Sequence, residues 1–295
     1  MKILVYSGTS LVGRNIVLRL AEQRHHVICT YRTQENIPCE FRLNRFITLV
    51  QLSHSEISEV DSRFDDIDAI INSTGAYPTS SVSDQDVIYA NIKTSLHIIS
   101  TYQRNKATLK CIVNYSSLSV YGDLNGPVFS ENTRPSPLDL YGSTKLIGEQ
   151  ILDQVREQIP VYHLRFPVVL GRDSHRAWLP STLKRMRLGK NIYICNKNSL
   201  YNCCTGMEDV LALTVKILSS VPSIGSSNIY PLGSIPDISI QAIIGLVAAK
   251  ANFEGQIDET DNGIDCCYID YSNALQIGYK PRLTSEVIRS WLSLN

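Results

Sequence analysis

The sequence predicts an α/β fold, a doubly wound parallel sheet with helices on both faces and a smaller C-terminal α/β lobe. Three observations lead there. Up to about residue 165, short apolar segments alternate with stretches of helical periodicity. The chain opens on a strand, a glycine-containing turn and a helix. Beyond Gly171 the rhythm changes to longer helices interleaved with short strands. These divide the chain into a sheet domain over residues 1–170 and a lobe over residues 171–295, with room for segments to interleave.

The expected strands are Lys2 to Tyr6, Val27 to Tyr31, Phe46 to Val50, Ala69 to Asn72, Lys110 to Tyr115 and Val161 to Arg165. Each is apolar enough to be buried on both faces, as parallel strands are. In the lobe, helical segments are expected around Trp178 to Leu188, Met207 to Leu218, Ile238 to Lys250 and Thr284 to Leu292. Short strands fall near Ile192 to Ile194 and Asn228 to Tyr230. No repeat or low-complexity tract interrupts this order.

Between the first strand and the helix beginning near Arg14 lies Ser7-Gly8-Thr9-Ser10-Leu11-Val12-Gly13. A strand end, a tight turn and a helix start together present backbone N–H groups to a pyrophosphate. A complete dinucleotide fingerprint has three glycines; here Gly8 and Gly13 are the only two, and the turn reads as one residue short.

Tyr141 and Lys145 are four residues apart in an expected helix, 24 residues after Ser117. Positions i and i+4 share a helix face, so the two side chains meet. An ammonium beside a phenol favours the phenolate and brings a group that titrates near 10 towards neutral pH. Ser117 follows the apolar run Cys111 to Tyr115, and ligands of open α/β sheets bind beyond the carboxyl ends of such strands. A hydroxyl there can hold a carbonyl or alkoxide oxygen against the tyrosine while a hydride moves at the carbon. Tyr31-Arg32 ends the second strand, where an acid would bind the ribose 2′-hydroxyl of NAD. Arg32 suits a 2′-phosphate, which favours NADP(H) over NAD(H).

Taken together, these motifs resemble an extended short-chain dehydrogenase/reductase of the NAD-dependent epimerase/dehydratase family, the group acting on nucleotide sugars. The resemblance runs through the Gly8/Gly13 turn, Ile70 to Ala76, Asn91 to Ser95 and Ser116 to Gly122. It continues through Tyr141 to Lys145 with Glu149, Leu164 to Gly171, Gly206 to Val210 and Ile277 to Pro281. It implies a Rossmann-type domain followed by a substrate lobe. Ser117, Tyr141 and Lys145 are then catalytic. The cofactor set comprises Gly8, Ser10, Leu11, Val12, Gly13, Tyr31, Arg32, Leu52, Ser73, Thr74, Gly75, Tyr141, Lys145, Phe166 and Pro167. The substrate set comprises Ser117, Ser119, Tyr141, Arg172 and Arg176. Apart from the resemblance, the basic run Arg172, Arg176, Lys184, Arg185, Arg187 and Lys190 reads either as a nucleotide contact or as a solvated helix face. The helices around Val87 to Asn105 and Leu138 to Gln158 resemble the pair through which many members form homodimers.

Departures from the family narrow the reaction. Gln51-Leu52 stands where members usually carry an acid near the adenine, and Tyr201 to Cys204 replaces a segment that often carries an arginine for the sugar nucleotide's diphosphate. Dehydratases of the family have an Asp-Glu pair after the catalytic hydroxyl residue; here Leu118-Ser119 follows Ser117. Members that both epimerise and reduce have a cysteine where Ser119 stands. What remains is NADPH-dependent reduction of a nucleotide-linked 4-keto-6-deoxy sugar, supplying a deoxyhexose for surface polysaccharide such as O-antigen. The alternatives are a nucleotide-sugar 4-epimerase with bound NAD and, in a different class, a non-catalytic NAD(P)-sensing regulator.

Composition removes other classes. Twenty-eight basic and 28 acidic residues cancel, which argues against nucleic acid or a membrane surface as partner. The first strand starts at Lys2, and no apolar run reaches the length of a membrane span, so a cytoplasmic protein is expected. The eight cysteines form no Cys-x-x-Cys pair and the six histidines are scattered, so no metal is expected.

Overall fold

The structure, a computed structural model, describes residues 1–52, 62–122, 128–175, 177–223, 225, 227–260 and 267–295. Seven parallel strands form the central sheet: β1 (Lys2–Tyr6), β2 (His26–Tyr31), β3 (Ile47–Gln51), β4 (Ala69–Asn72), β5 (Cys111–Ser117), β6 (Val161–Phe166) and β7 (Ile229–Pro231), in the order β7-β6-β5-β4-β1-β2-β3. The order reverses at β1 and β4, and the crevice above this switch point is where open α/β sheets bind ligands.

Both faces of the sheet are covered. Helices Leu11–Glu22 and Met207–Ser220 seal one side around Ile16, Val17, Leu20, Val210, Leu213 and Ile217. Helices Thr94–Arg104 and Leu140–Leu152 contribute Ile98, Tyr102 and Leu152 to the other side, against Leu4, Ile28, Ile70 and Ile112. The lobe has its own core, in which helices Trp178–Arg187, Ile240–Ala251 and Thr284–Leu294 meet around Leu183, Ile243, Ile244, Ile288 and Trp291. The edge strand β7 returns from this C-terminal half of the chain to pair with β6. Among the described residues no helix is long and apolar enough to cross a membrane.

Three local differences from the sequence reading bear on the site. β5 does not stop at Tyr115: Ser116 and Ser117 extend it, paired with Arg165 and Phe166 of β6. The helix expected from Val87 to Asn105 is split into Asp84–Ile88, a π-helical turn at Tyr89–Lys93 and Thr94–Arg104. The π turn carries Asn91 inward, and such insertions are frequent at functional sites. The Tyr/Lys helix begins at Leu140 because Asp139 caps it, accepting from the Gly142 N–H at 2.7 Å.

Candidate active site

The turn after β1 contains three special positions spaced by three residues, at 7, 10 and 13. Ser7 adopts a positive φ of 52° that a glycine would normally supply, and its backbone N–H is held by Thr30 Oγ1 at 2.9 Å. Ser10 caps the Leu11–Glu22 helix, accepting from the Gly13 N–H at 3.1 Å, and its hydroxyl lies 2.8 Å from Ser73 Oγ. Gly13 is obligatory: a Cβ there would lie 2.5 Å from Ser7 O and 2.7 Å from Ser10 Oγ. The turn is therefore not one residue short; serines occupy two positions of a full-length turn. Gly8 serves packing instead, since a Cβ would strike Cys29 Sγ at 2.5 Å and its N–H is consumed by Thr30 O.

A cleft of about 1110 Å³ opens above these residues. Ser10, Leu11, Val12, Ser73, Thr74 and Gly75 form its floor at the strand ends, and Ser117, Ser119, Tyr141, Lys145, Phe166 and Pro167 line its centre. The lobe supplies His175, Trp178, Tyr201 and Cys203.

At the centre, Ser117 Oγ lies 3.1 Å from Ser119 Oγ and accepts from the Ser119 N–H at 3.1 Å, so its orientation is fixed at the end of β5. Tyr141 meets Tyr77 edge-on, with ring centroids 5.3 Å apart. Gly75 leaves the space beside the Tyr141 hydroxyl open; a Cβ there would stand 3.6 Å from it. Lys145 is buried, with Nζ donating to the carbonyls of Thr74 at 2.9 Å and of Tyr115. Burial lowers its pKa to about 8, opposed by the nearby Glu149 carboxylate.

One helical turn further along, Glu149 accepts from Arg165 Nη2 at 2.6 Å and Nε at 3.1 Å and from the Ser116 hydroxyl. Both members of the pair are buried. Burial pushes the Glu149 carboxyl up, but hydrogen bonding to Arg165 and the neighbouring positive charge outweigh it and hold the group below the usual carboxylate range. The guanidinium also sits over the Tyr121 ring, 4.7 Å from its centroid. This pair clamps the Tyr/Lys helix to β5 and β6.

A buried polar line backs the floor. The Thr74 N–H donates to Asn72 Oδ1 at 3.1 Å, Asn72 Nδ2 donates to Asn114 Oδ1 at 2.9 Å, and Asn114 Nδ2 lies 3.0 Å from His163 Nδ1. His163 Nε2 lies 3.1 Å from Asp153 Oδ1, which also accepts from Asn228. Asn91 closes the other side, exchanging hydrogen bonds with both backbone groups of Ala76 and donating to Thr144 Oγ1 at 2.9 Å.

The family model for the NAD-dependent epimerase/dehydratase family matches residues 3–233. The chain belongs to that family. A curated relative, the uncharacterized UDP-glucose epimerase YtcB of Bacillus subtilis (strain 168), is 44% identical over 66 residues. That match spans 22% of this chain and about a fifth, 21%, of the relative. The UDP-glucuronic acid 4-epimerase from Bacillus cereus, solved in complex with NAD, superposes with a TM-score of 0.82 at 20% identity, covering 100% of this chain and 96% of that one. The UDP-Glc/GlcNAc 4-epimerase from Campylobacter jejuni gives a TM-score of 0.81 at 16% identity, covering 99% and 98%. At these identities the structural likeness establishes the shared extended fold.

Against that family frame, several residues assigned from sequence stand away from the cleft. Tyr31 and Arg32 lie at the end of β2, with Arg32 exposed and its carbonyl accepting from Gln51 Nε2 at 3.1 Å. Leu52 is half-buried against the core beneath helices Thr94–Arg104 and Leu140–Leu152. None of these three, nor Gly8, Gly13 or Arg172, lines the central cleft. Arg172 is exposed, as are Lys184, Arg185, Arg187 and Lys190 around the Trp178–Arg187 helix; Arg185 and Arg187 donate to the carbonyls of Asn191 and Asn295. Arg176 lies outside the described residues. Conversely, the sequence reading gave no role to Asn91, Asn114, His163 and Arg165, or to His175, which is exposed and lines the cleft. The embedded polar residues Asn114, His163 and Arg165 in otherwise apolar strands were the available signal.

Proposed function

We propose that this protein is a nucleotide-sugar 4-epimerase that holds NAD in the cleft and inverts C4 of a UDP-linked hexose. The observation that carries this reading is the meeting of Ser117, Tyr141 and Lys145 in one cleft, between the Ser10–Val12 turn and the lobe. The two solved relatives named above are 4-epimerases of UDP-sugars, one of them bound to NAD, and the curated relative is named a UDP-glucose epimerase; these support the choice of substrate and cofactor. The start of the Leu11–Glu22 helix, with Ser10, Leu11 and Val12 lining the cleft, fits a pyrophosphate held by backbone N–H groups, and Gly13 lets the Ser7–Ser10 turn close tightly beneath it.

The nicotinamide, when bound, supplies a reversible acceptor for the hydrogen at C4. The chain supplies the rest. Tyr141 takes the proton of the C4 hydroxyl through its phenolic oxygen and gives it back. Lys145 places a positive charge behind the tyrosine, from a position fixed by the two carbonyls it holds. Ser117 donates a hydrogen bond to the C4 oxygen as its charge changes. Inversion requires the keto sugar to present its other face before the hydrogen returns, a turn that would take place in the cleft of about 1110 Å³ whose lobe side carries Tyr201 and Cys203.

A second reading, NADPH-dependent reduction of a 4-keto-6-deoxy sugar nucleotide, rests on Arg32, an exposed cation at the end of β2 where NAD sites carry an acid. The two readings separate on one assay. An epimerase interconverts UDP-glucose and UDP-galactose, or their uronic or N-acetyl counterparts, with no net use of added nucleotide, whereas a reductase consumes NADPH one for one with a keto sugar. NADPH consumption without epimerisation rejects the first reading. We also propose a homodimer through helices Asp84–Ile88, Thr94–Arg104 and Leu140–Leu152, which leave Ile88, Leu96 and Ile147 exposed.

A further inference from the structure

Cys203 and Cys267 are 64 residues apart in sequence, yet their Sγ atoms lie 3.0 Å apart. Backbone geometry brings them together. The buried Asn202 donates through Nδ2 to Ile269 O and accepts at Oδ1 from the Ile269 N–H, both at 2.9 Å. That two-way clasp holds the Asn202–Cys203 stretch against residues 267–269. A disulfide bond is about 2.05 Å long, so roughly 1 Å of sulfur movement separates the dithiol from the bonded state.

The pair also differs from the three fully buried thiols. Cys29, Cys111 and Cys204 are buried, with pKa values pushed up to about 12 by burial, which leaves them protonated and inert. Cys267 moves the other way: the hydrogen bond from Cys203 lowers its pKa against the effect of burial. Both sulfurs are half-buried rather than sealed, and Cys203 lines the cleft beside Tyr201. The Tyr201 hydroxyl donates to the Cys203 carbonyl at 2.9 Å, which couples this cleft-lining tyrosine to the Cys203 backbone.

We propose that Cys203 and Cys267 form a reversible dithiol/disulfide couple in the lobe-side wall of the cleft, oxidised by small-molecule disulfides, and that closing the bond weakens ligand binding there. The effect on binding rests on the nucleotide-sugar reading; the couple itself does not. In the first step the Cys267 thiolate attacks one sulfur of the small disulfide, whose S–S bond breaks and releases one thiolate. Cys203 then loses its proton and attacks the Cys267 sulfur of the mixed disulfide, expelling the second. Two protein thiols are oxidised, one small disulfide is reduced to two thiols, and both protons end on those thiols.

The test is to incubate the protein with oxidised glutathione, alkylate the remaining thiols and map the peptides, then titrate UDP into the reduced and oxidised forms by calorimetry. The account expects a Cys203–Cys267 link that dithiothreitol reverses, and a loss of UDP affinity of about tenfold or more. Cys267→Ser should abolish the link and leave UDP affinity insensitive to the oxidant. No link, a link between other cysteines, or equal UDP affinity in both forms overturns the proposal. A reduced protein that does not bind UDP contradicts the nucleotide reading instead, and the peptide map then decides the couple by itself.

Discussion

Lys145 Nζ donates to the Thr74 carbonyl at 2.9 Å, so the helix that carries Tyr141 is tied to the floor of the cleft by the side chain proposed to tune that tyrosine. The same carbonyl belongs to the segment whose N–H is held by Asn72, and the buried polar line anchors it across three strands. A lysine so placed loses its charge near pH 8 rather than at its ordinary 10.5, because burial disfavours the ammonium.

Two pH effects follow from that lysine. Activity that needs the ammonium should fall as pH rises through about 8, and Lys145→Arg, which stays charged, should remove this alkaline fall while lowering the rate. Stability has the opposite trend. Between about 8 and 10.5 the unfolded chain holds a proton on Lys145 that the folded chain does not, so stability should rise with pH across that window. A pH–rate profile and urea unfolding at pH 8 and 10 measure both; wild-type activity that stays flat to pH 10 contradicts the role given to the charge.

Glu149 and Arg165 are a buried ion pair, and removing one partner strands the other. Glu149→Ala should cost about 3–5 kcal/mol of unfolding free energy, read from urea denaturation. A cost below about 1 kcal/mol would show that the clamp between the Tyr/Lys helix and the sheet is dispensable.

Gly13→Ala should strain the turn, because the new methyl meets Ser7 O at 2.5 Å with backbone on one side and the Ser10 and Ser73 hydroxyls on the other. The expected cost is about 1–3 kcal/mol of stability, with NAD affinity reduced at least tenfold. Gly8→Ala presses on Cys29 Sγ instead and should destabilise the protein while sparing NAD affinity. Equal losses of NAD affinity in the two variants would contradict the division of roles between the glycines.

Light scattering at micromolar protein should give the mass of a dimer. Leu96→Glu, in the middle of the proposed face, should shift it to monomer without unfolding it, since Leu96 is half-exposed in the single chain. A wild-type monomer contradicts the interface.

Legibility in the sequence followed how local each feature is. Buried parallel strands are continuous apolar runs, and the Tyr141/Lys145 pair needs only the helical period, so both are readable from neighbouring residues. The turn after β1 was misread because glycine is the conspicuous signal there, whereas Ser7 adopts the left-handed conformation while Thr30 and Thr74 hold it in place. Asn72, Asn114 and His163 become a line only when β4, β5 and β6 pair in register, and no local pattern announces that pairing. Arg172 and the basic helix show the converse: a run of like charges is visible in sequence, but its side of the fold is not.

The central claim is tested most directly by following UDP-glucose in D₂O by NMR with purified protein and no added cofactor. The account predicts conversion to UDP-galactose, or the corresponding change with a uronic or N-acetyl UDP-sugar, with no deuterium at C4, because the hydrogen removed from that carbon is the one returned. Tyr141→Phe should slow it by about 100- to 10,000-fold, the range for losing a general acid–base group. Failure to interconvert any of these C4 pairs, deuterium appearing at C4, or an unimpaired Tyr141→Phe would contradict it.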